Sequence, residues 1–216
     1  MDSSSVNYLF KEIFIKQEYR VDNLPTNPVI FDCGSNIGTS ILYFKKIYPS
    51  AKIIGFEANP SVYQLLEKNI LHQGLTDVAV FPIALYNQDT ELTFFTSSKN
   101  ENLTGSILHK RGGERAIQVK AQKLSQFFAP YEKVDVVKID VEGAEWNILE
   151  DLVASQTLKK TQNYLIEYHL NIRGEQGDLS QFIKIFEDHG YGYSIRGKFG
   201  RPGEFQDLFF HFFKKA

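Results

Sequence analysis

A strand that ends in an acid and a glycine-rich turn, at residues 29–38 (VIFDCGSNIG), constrains the fold of this chain more than any other feature. The apolar run closes with Asp32, and Gly34 lets the backbone turn sharply and approach a ligand, because it carries no Cβ. An amphipathic helix begins near Ile37, and Gly38 allows it close contact with the sheet or the ligand. Ligands of open α/β sheets bind beyond the carboxyl ends of the strands. The segment therefore predicts a nucleotide-type site on a parallel sheet.

Strand and helix signals alternate from residue 28 onward, a pattern typical of parallel βαβ units. The predicted parallel strands are 28–33, 52–57, 78–81, 134–140 and 164–168. Short period-two segments at 91–96 and 116–120 predict a β-hairpin inserted after the third strand. The last two strands, 191–195 and 208–213, have no helix between them and should pair antiparallel. The expected fold is α/β, with helices on both faces of a mostly parallel seven-stranded sheet and an antiparallel C-terminal strand.

Length, charge and cysteine content limit the class of protein. The 216 residues fit a single domain over residues 28–216, with an N-terminal cap over residues 1–27. A net charge of −2 gives no electrostatic footprint for nucleic acid, and no apolar run approaches the length that spans a bilayer. The N-terminus lacks a signal-peptide pattern, and the single cysteine is typical of a reducing compartment. We therefore expect a cytoplasmic protein without a nucleic-acid partner or membrane insertion; its oligomeric state stays open.

The glycine spacing disfavours a dinucleotide ligand. A G-x-G-x-x-G fingerprint needs three glycines in fixed register, whereas residues 32–38 read D-x-G-x-x-x-G. Glu57, at the end of the second strand, is placed to accept hydrogen bonds from ribose hydroxyls. No G-x-x-x-x-G-K-[ST] sequence is present, which makes a phosphate-transfer ATPase improbable. A nucleoside ligand without phosphates suits a loop that starts with a carboxylate.

Three motifs resemble those of the FkbM-type methyltransferases that use S-adenosylmethionine: residues 32–38 (DCGSNIG), 56–60 (FEANP) and 139–145 (IDVEGAE). The resemblance spans about residues 28–213 and implies a Rossmann-like class I methyltransferase fold, of which an antiparallel C-terminal strand is a hallmark. The chain departs from the family pattern at Ala58, where proline often follows the glutamate. It departs again at 123–126 (KLSQ), where a Leu-Asp-Asp run is frequent.

The resemblance implies S-adenosylmethionine as cofactor and assigns residues to its parts. Asp32 and the backbone from Gly34 to Gly38, which includes Ser35 and Asn36, would hold the methionine portion. Glu57 would bind the ribose hydroxyls, and Asp140 would lie beside the amino-acid end or the methyl group. The adenine side would be lined by Ala58, Asn59, Ala84 and Leu85.

Four polar residues at the ends of two strands are the predicted catalytic groups: Asp140, Glu142, Glu167 and His169. The two-residue spacing within each pair places both side chains on one face, and neighbouring strands would bring the pairs together. Transfer to a hydroxyl is helped by a base, and His169 is the leading one because its unperturbed pKa lies near physiological pH. Each residue could instead cap a helix or bond a loop amide; for Glu142 the two interpretations are equally favoured.

Several residues have weaker assignments. The carboxylates and histidine could ligate magnesium or manganese, but their spacing is not specific and no metal is predicted. The polar segment 100–106 is either an acceptor-recognition loop or an exposed linker. Further candidates for acceptor contact are Phe199, Arg201 and Pro202. Structural or surface roles are expected for His72, His109, His189, His211 and Cys33.

The predicted function is methylation of a hydroxyl on a small molecule, sugar or glycan. The choice of a hydroxyl depends on the resemblance and on the candidate base. The alternatives are N-methylation of an amine, which needs less help from a base, and a noncatalytic S-adenosylmethionine-binding protein. A dehydrogenase is a further enzymatic rival that the glycine spacing disfavours.

Overall fold

The computed structural model describes residues 7, 10–97, 105–171, 179–197, 201 and 204–215. Within these ranges the strands are β1 (Val29–Cys33), β2 (Lys52–Phe56), β3 (Val78–Phe81), β4 (Ala84–Leu85), β5 (Thr90–Thr96), β6 (Gly105–Ser106), β7 (Arg115–Gln122), β8 (Val134–Ile139), β9 (Thr161–Leu170), β10 (Tyr191–Gly197) and β11 (Gln206–Lys214). The α-helices are α1 (Thr39–Ile47), α2 (Pro60–His72), α3 (His109–Gly112), α4 (Glu145–Ala154) and α5 (Leu179–Asp188). A π-helical turn covers Lys11–Ile15, and 3₁₀ turns cover Leu124–Phe128 and Leu158–Lys160.

A seven-stranded sheet with the order β10-β11-β9-β8-β1-β2-β3 forms the centre of the protein. The pairs β1–β2, β2–β3, β1–β8 and β8–β9 are parallel, whereas β11 is antiparallel to both β9 and β10. This arrangement confirms the predicted mostly parallel sheet with an antiparallel C-terminal strand. The carboxyl ends of β1, β2, β8 and β9 consequently lie along one edge, where the predicted site residues follow.

Helices cover both faces of this sheet, as predicted. Along β8, Val136 packs in a cluster with Phe44 of α1, while its neighbour Val137 packs with Phe182 of α5. The alternation follows from the strand period of two, and both faces are apolar because both are covered. Residues from the N-terminal segment, including Ile13, Tyr19 and Val21, are buried in the cluster on the α1 side. None of the described helices is both long and apolar enough to cross a membrane.

The insertion after β3 is larger than the predicted hairpin. Strands β5 and β7 pair antiparallel as expected, but β4 and β6 extend them into a four-stranded sheet with the order β4-β7-β5-β6. The two added strands have two residues each. They were missed because a two-residue strand carries no periodic signal. Residues 100–104 of the predicted acceptor loop, together with Phe199 and Pro202, lie outside the described residues.

Candidate active site

The turn after β1 is held between two neighbouring strands. The backbone N–H groups of Gly34 and Ser35 donate to the carbonyl of Phe56 at 3.0 and 2.8 Å. Gly34 has φ +82°, and a Cβ at this position would lie 1.8 Å from the carbonyl oxygen of Asp140. Only glycine fits this approach of β1 to the end of β8. Gly38 (φ +94°) faces Leu66 of α2, so it serves helix packing, and α1 begins at Thr39, two residues later than predicted.

A buried lysine that was not predicted ties the same turn to β8. Lys138 Nζ donates to the carbonyl of Gly34 at 2.7 Å and lies 3.3 Å from Asp32 Oδ1 and 3.5 Å from Asp140 Oδ2. Burial lowers the pKa of Lys138, but the charges of Asp32 and Asp140 outweigh it and raise the pKa well above its ordinary value. Asp32 Oδ2 also accepts from Ser40 Oγ at 2.6 Å. A lysine within an apolar strand is the sequence signal that could have identified this residue.

An open cavity of about 640 Å³, counted with the solvent space at its mouth, lies beside the turn. The predicted cofactor residues on its wall are Gly34, Asn36, Glu57, Ala58, Ala84, Leu85 and Asp140. Four predicted residues do not line the cavity, and their contacts shape the turn and the starts of α1 and α2: Asp32, Ser35, Gly38 and Asn59. The lining also includes large apolar residues that sequence reasoning missed: Phe56, Ile83, Phe94 and Ile107. Two of these, Phe94 and Ile107, come from the inserted segment, whose packing on the cavity no local pattern indicated.

Glu57 presents a carboxylate to this cavity. Its two oxygens accept from the backbone N–H groups of Asn36 at 2.9 Å and Asn59 at 2.8 Å. Burial raises the pKa of Glu57 to about 7, although these two hydrogen bonds act in the opposite direction. The carboxylate is fixed in place and still has lone pairs for a ligand hydroxyl.

The four predicted catalytic residues converge around His169, which is 1% exposed. His169 Nε2 lies 3.2 Å from Glu142 Oε2, 4.0 Å from Asp140 Oδ1 and 3.9 Å from Asp207 Oδ1. On the other side of the ring, Nδ1 donates to Glu145 Oε1 at 2.7 Å. Glu145 is itself buried and also accepts from the backbone N–H of Gly143 at 3.0 Å. Sequence reasoning missed Asp207 and the role of Glu145, although Glu145 lies within the IDVEGAE motif.

The environment of His169 overturns the reason for choosing it as the base. Burial by itself lowers the pKa of His169, but the charges of Glu145, Glu142 and Asp140 outweigh burial and raise the pKa to about 10. The pKa of His169 is therefore raised rather than unperturbed, and its surroundings favour the imidazolium at neutral pH. Burial, followed by the charge of Asp140, raises the pKa of Glu167 to about 8. Of these two groups, Glu167 titrates closer to physiological pH.

The inserted segment reaches over this cluster through Arg111 of α3. Arg111 Nε lies 2.5 Å from Glu142 Oε2, and the guanidinium lies 4.7 Å from the centre of the Phe205 ring. Ser106 Oγ donates to the carbonyl of Glu142. Burial raises the pKa of Glu142, and the positive charges of His169 and Arg111 oppose part of this increase. The carboxylate of Glu142 thus pairs with cations, whereas the N-cap residue of α4, Ala144, has no side-chain cap bond.

Comparison with known proteins identifies the family. The profile of the methyltransferase FkbM domain matches residues 32–193, from the end of β1 into β10. The chain belongs to the FkbM methyltransferase family. A relative named methyltransferase sdnD, from Sordaria araneosa, is 31% identical over 215 residues, which cover 85% of this chain and 81% of that protein. The 2-O-methyltransferase NoeI of Sinorhizobium fredii is 26% identical over 158 residues, covering 66% and 63% respectively.

A solved structure supports the fold of this FkbM family member. The methyltransferase FkbM from Methylobacillus flagellatus KT superposes with a TM-score of 0.60 at 14% sequence identity, covering 88% of this chain and 44% of that chain. At this identity the likeness concerns the fold. The protein is an S-adenosylmethionine-dependent methyltransferase.

The cavity of this FkbM methyltransferase fits its methyl donor. The close approach of Gly34 to Asp140 leaves no room for a side chain, and the fixed carboxylate of Glu57 suits a ribose diol. Apolar walls such as Leu85 and Phe94 suit a planar base. When bound, S-adenosylmethionine supplies a methyl group on a sulfonium with a neutral thioether as leaving group.

Among the residues that the structure describes, two overlapping groups of side chains could hold a metal ion. Asp140, Glu142 and His169 form one, and Glu167, His169 and Asp207 form the other; in each, the ligand atoms lie within 4.8 Å of one another. Both groups need His169 as a neutral imidazole, because a protonated ring nitrogen has no lone pair for a metal. The surrounding carboxylates favour the imidazolium, so a metal would have to displace its proton.

His211 and His189 make hydrogen bonds that are structural. His211 Nε2 and Asn163 Oδ1 are 2.9 Å apart, and His189 Nδ1 donates to the carbonyl of Ile185 at 2.7 Å. Cys33 is fully buried in the core, and burial raises the pKa of its thiol well above the ordinary value. The surroundings of His211 and Cys33 fit the structural and packing roles expected for them, and His189 lies in the turn after α5, where a loop residue was expected.

Proposed function

We propose that this FkbM methyltransferase transfers a methyl group to a hydroxyl of a sugar or other small-molecule acceptor, with Glu167 as the base. The observation that carries the proposal is the cluster of partly exposed carboxylates around buried His169 at the ends of β8 and β9, next to the cavity wall formed by Asp140 and Glu142. The relative named as a 2-O-methyltransferase supports oxygen as the acceptor atom. We also propose a cytoplasmic location, since Cys33 is buried and makes no disulfide.

Glu167 is suited to the proton transfer. With a pKa of about 8, part of its population is ionised at neutral pH, and the carboxylate is more basic than an ordinary glutamate. It accepts the acceptor hydroxyl's proton as the oxygen forms its bond to the methyl carbon. Asp140, which follows β8 next to the end of β9, helps to orient the acceptor. His169 keeps its proton throughout and compensates the charge of Glu142 and Glu145.

The experiment is a methyl-transfer assay with a panel of acceptors. Purified protein, labelled S-adenosylmethionine and matched pairs of neutral sugars and amino sugars are incubated, and the methylated atom is identified by mass spectrometry. We expect O-methylated product from the neutral sugars, and we expect Glu167→Gln to lower kcat by at least about 100-fold. If the Glu167→Gln variant transferred the methyl group at the wild-type rate, Glu167 would not be the base.

N-methylation is the second candidate, and one observation favours it. The described residues around His169 include the carboxylates of Asp140, Glu142, Glu145 and Asp207, together with Glu167, which is ionised in part at neutral pH. Three cations lie among them: His169, Arg111 and Lys138. Such a surplus of negative charge would attract an ammonium group. Product from the amino sugars alone, with the new methyl on nitrogen, would favour this candidate and contradict the first.

A further inference from the structure

Tyr19, in the N-terminal segment, is buried beside the predicted methionine end of the cofactor site. It is 5% exposed, and its ring packs against Phe44 of α1 at 6.1 Å and Phe209 of β11 at 5.9 Å. Phe209 is paired with Glu167 in the register of β11 and β9. The Nζ atom of Lys138 lies 5.7 Å from the centre of the Tyr19 ring. The side chain is therefore fixed in orientation next to charged groups of the site.

The hydroxyl of Tyr19 makes no hydrogen bond to any of the residues that the structure describes. Burial raises the pKa of Tyr19 well above its ordinary value, and Lys138, Asp140, Glu167 and Asp32 are the charges that act on it. The hydroxyl consequently remains protonated and can donate a hydrogen bond. The hydroxyl is not among the fully enclosed polar atoms of the described residues, so it has accessible surface from which it can donate to a ligand or to water.

The charges around Tyr19 complement an α-amino acid. The methionine portion of the methyl donor carries an ammonium and a carboxylate. Asp140 is a suitable acceptor for the ammonium, because it is on the cavity wall and partly exposed. The Tyr19 hydroxyl suits the carboxylate, as does the charge of Lys138, whose Nζ lies 3.5 Å from Asp140 Oδ2.

We propose that the Tyr19 hydroxyl donates a hydrogen bond to the α-carboxylate of the methyl donor, which makes the N-terminal cap part of the cofactor site. The proposal concerns the methyl donor and rests on the proposed function only in that the protein transfers a methyl group from S-adenosylmethionine; the position of the methionine portion beside Asp140 is the one implied by the family resemblance. It requires no particular acceptor. If the acceptor proved not to be a hydroxyl, the proposal for Tyr19 would therefore be unaffected.

The test compares two ligands that differ in the amino-acid portion. S-adenosylhomocysteine has the carboxylate, whereas 5′-methylthioadenosine shares the nucleoside and the thioether but has no amino-acid group. Their affinities for the wild-type protein and for Tyr19→Phe are measured by isothermal titration calorimetry. We expect Tyr19→Phe to bind S-adenosylhomocysteine about tenfold more weakly, as for loss of one hydrogen bond to a charged group, and to bind 5′-methylthioadenosine unchanged.

Tyr43→Phe is the matched control. Tyr43 is also buried and in contact with Phe44, and its enclosed hydroxyl likewise has no hydrogen-bond partner among the described residues, but it lies on α1 away from Lys138. We expect this variant to bind both ligands as the wild type does. Equal weakening of both ligands by Tyr19→Phe would assign Tyr19 a purely structural role and overturn the proposal. Unchanged affinity for both ligands would overturn it as well.

Discussion

Replacing Glu145 by glutamine tests whether the buried carboxylate beneath His169 keeps that ring protonated. Glu145 and His169 are each 1% exposed, and their side chains are joined by a 2.7 Å hydrogen bond. Glutamine retains an acceptor oxygen for the backbone N–H of Gly143 and for His169 Nδ1, so the main change is the loss of one buried negative charge. Because an opposite charge at this distance alters a pKa by about 1–3 pH units, we expect the pKa of His169 to fall by that amount.

The effect on stability follows from the sign of the pKa change. His169 has a pKa of about 10 in the folded protein and 6.5 as its ordinary value, so its stabilising contribution is complete below pH 6.5 and is lost as the pH rises through 10. At about 1.4 kcal/mol per pKa unit, the difference between these two pKa values corresponds to as much as about 5 kcal/mol in the free energy of unfolding. If the pKa of His169 falls by about 2 units in Glu145→Gln, the pH-dependent contribution of His169 to the free energy of unfolding falls to about 2 kcal/mol.

Two measurements check this expectation. Histidine-selective NMR gives the pKa of His169 directly, and urea unfolding at pH 6.5 and pH 9.5 gives the change in the free energy of unfolding. We expect the variant to be less stable than the wild type at the lower pH, and the difference to shrink at the higher pH. The control is Asp151→Asn, which removes another buried carboxylate of α4 that accepts two hydrogen bonds from Ser125. An unchanged pKa of His169 in Glu145→Gln would refute the electrostatic argument.

Three further predictions concern the cofactor cavity and the metal. Glu57 has a pKa of about 7, so its carboxylate takes up a proton below pH 7. The affinity for S-adenosylhomocysteine, measured by calorimetry, should therefore fall below pH 7. The affinity of Glu57→Gln should not depend on pH in this way. Gly34→Ala should abolish binding or folding, because its Cβ would meet Asp140. Gly190→Ala, at φ +88° in open space, should cost about 1–2 kcal/mol in urea unfolding, the cost of the left-handed backbone alone. EDTA should leave turnover unchanged; restoration of lost turnover by Mg²⁺ or Mn²⁺ would contradict the protonated state of His169.

The central sheet was predictable because its strands carry strong local signals. Strands β1, β2 and β8 are buried on both faces and appear in the sequence as apolar runs, and their polar ends mark the binding edge. The four-stranded insertion was predicted only in part, since β4 and β6 have two residues each and form through pairing with distant strands. Its contribution to the cavity wall through Phe94 and Ile107 is likewise a product of tertiary packing.

The convergence of Asp140, Glu142, Glu167 and His169 was predictable from the order of the strands, but their protonation states were not. A residue type specifies only an unperturbed pKa, by which histidine would be the base near neutral pH. In the folded protein, carboxylates from the β8–α4 turn and α4 surround His169, and burial acts on Glu167. Glu167 then titrates at about 8 and His169 at about 10. The candidate base therefore changes from the histidine to the glutamate, because charges distant in sequence meet at one edge of the sheet.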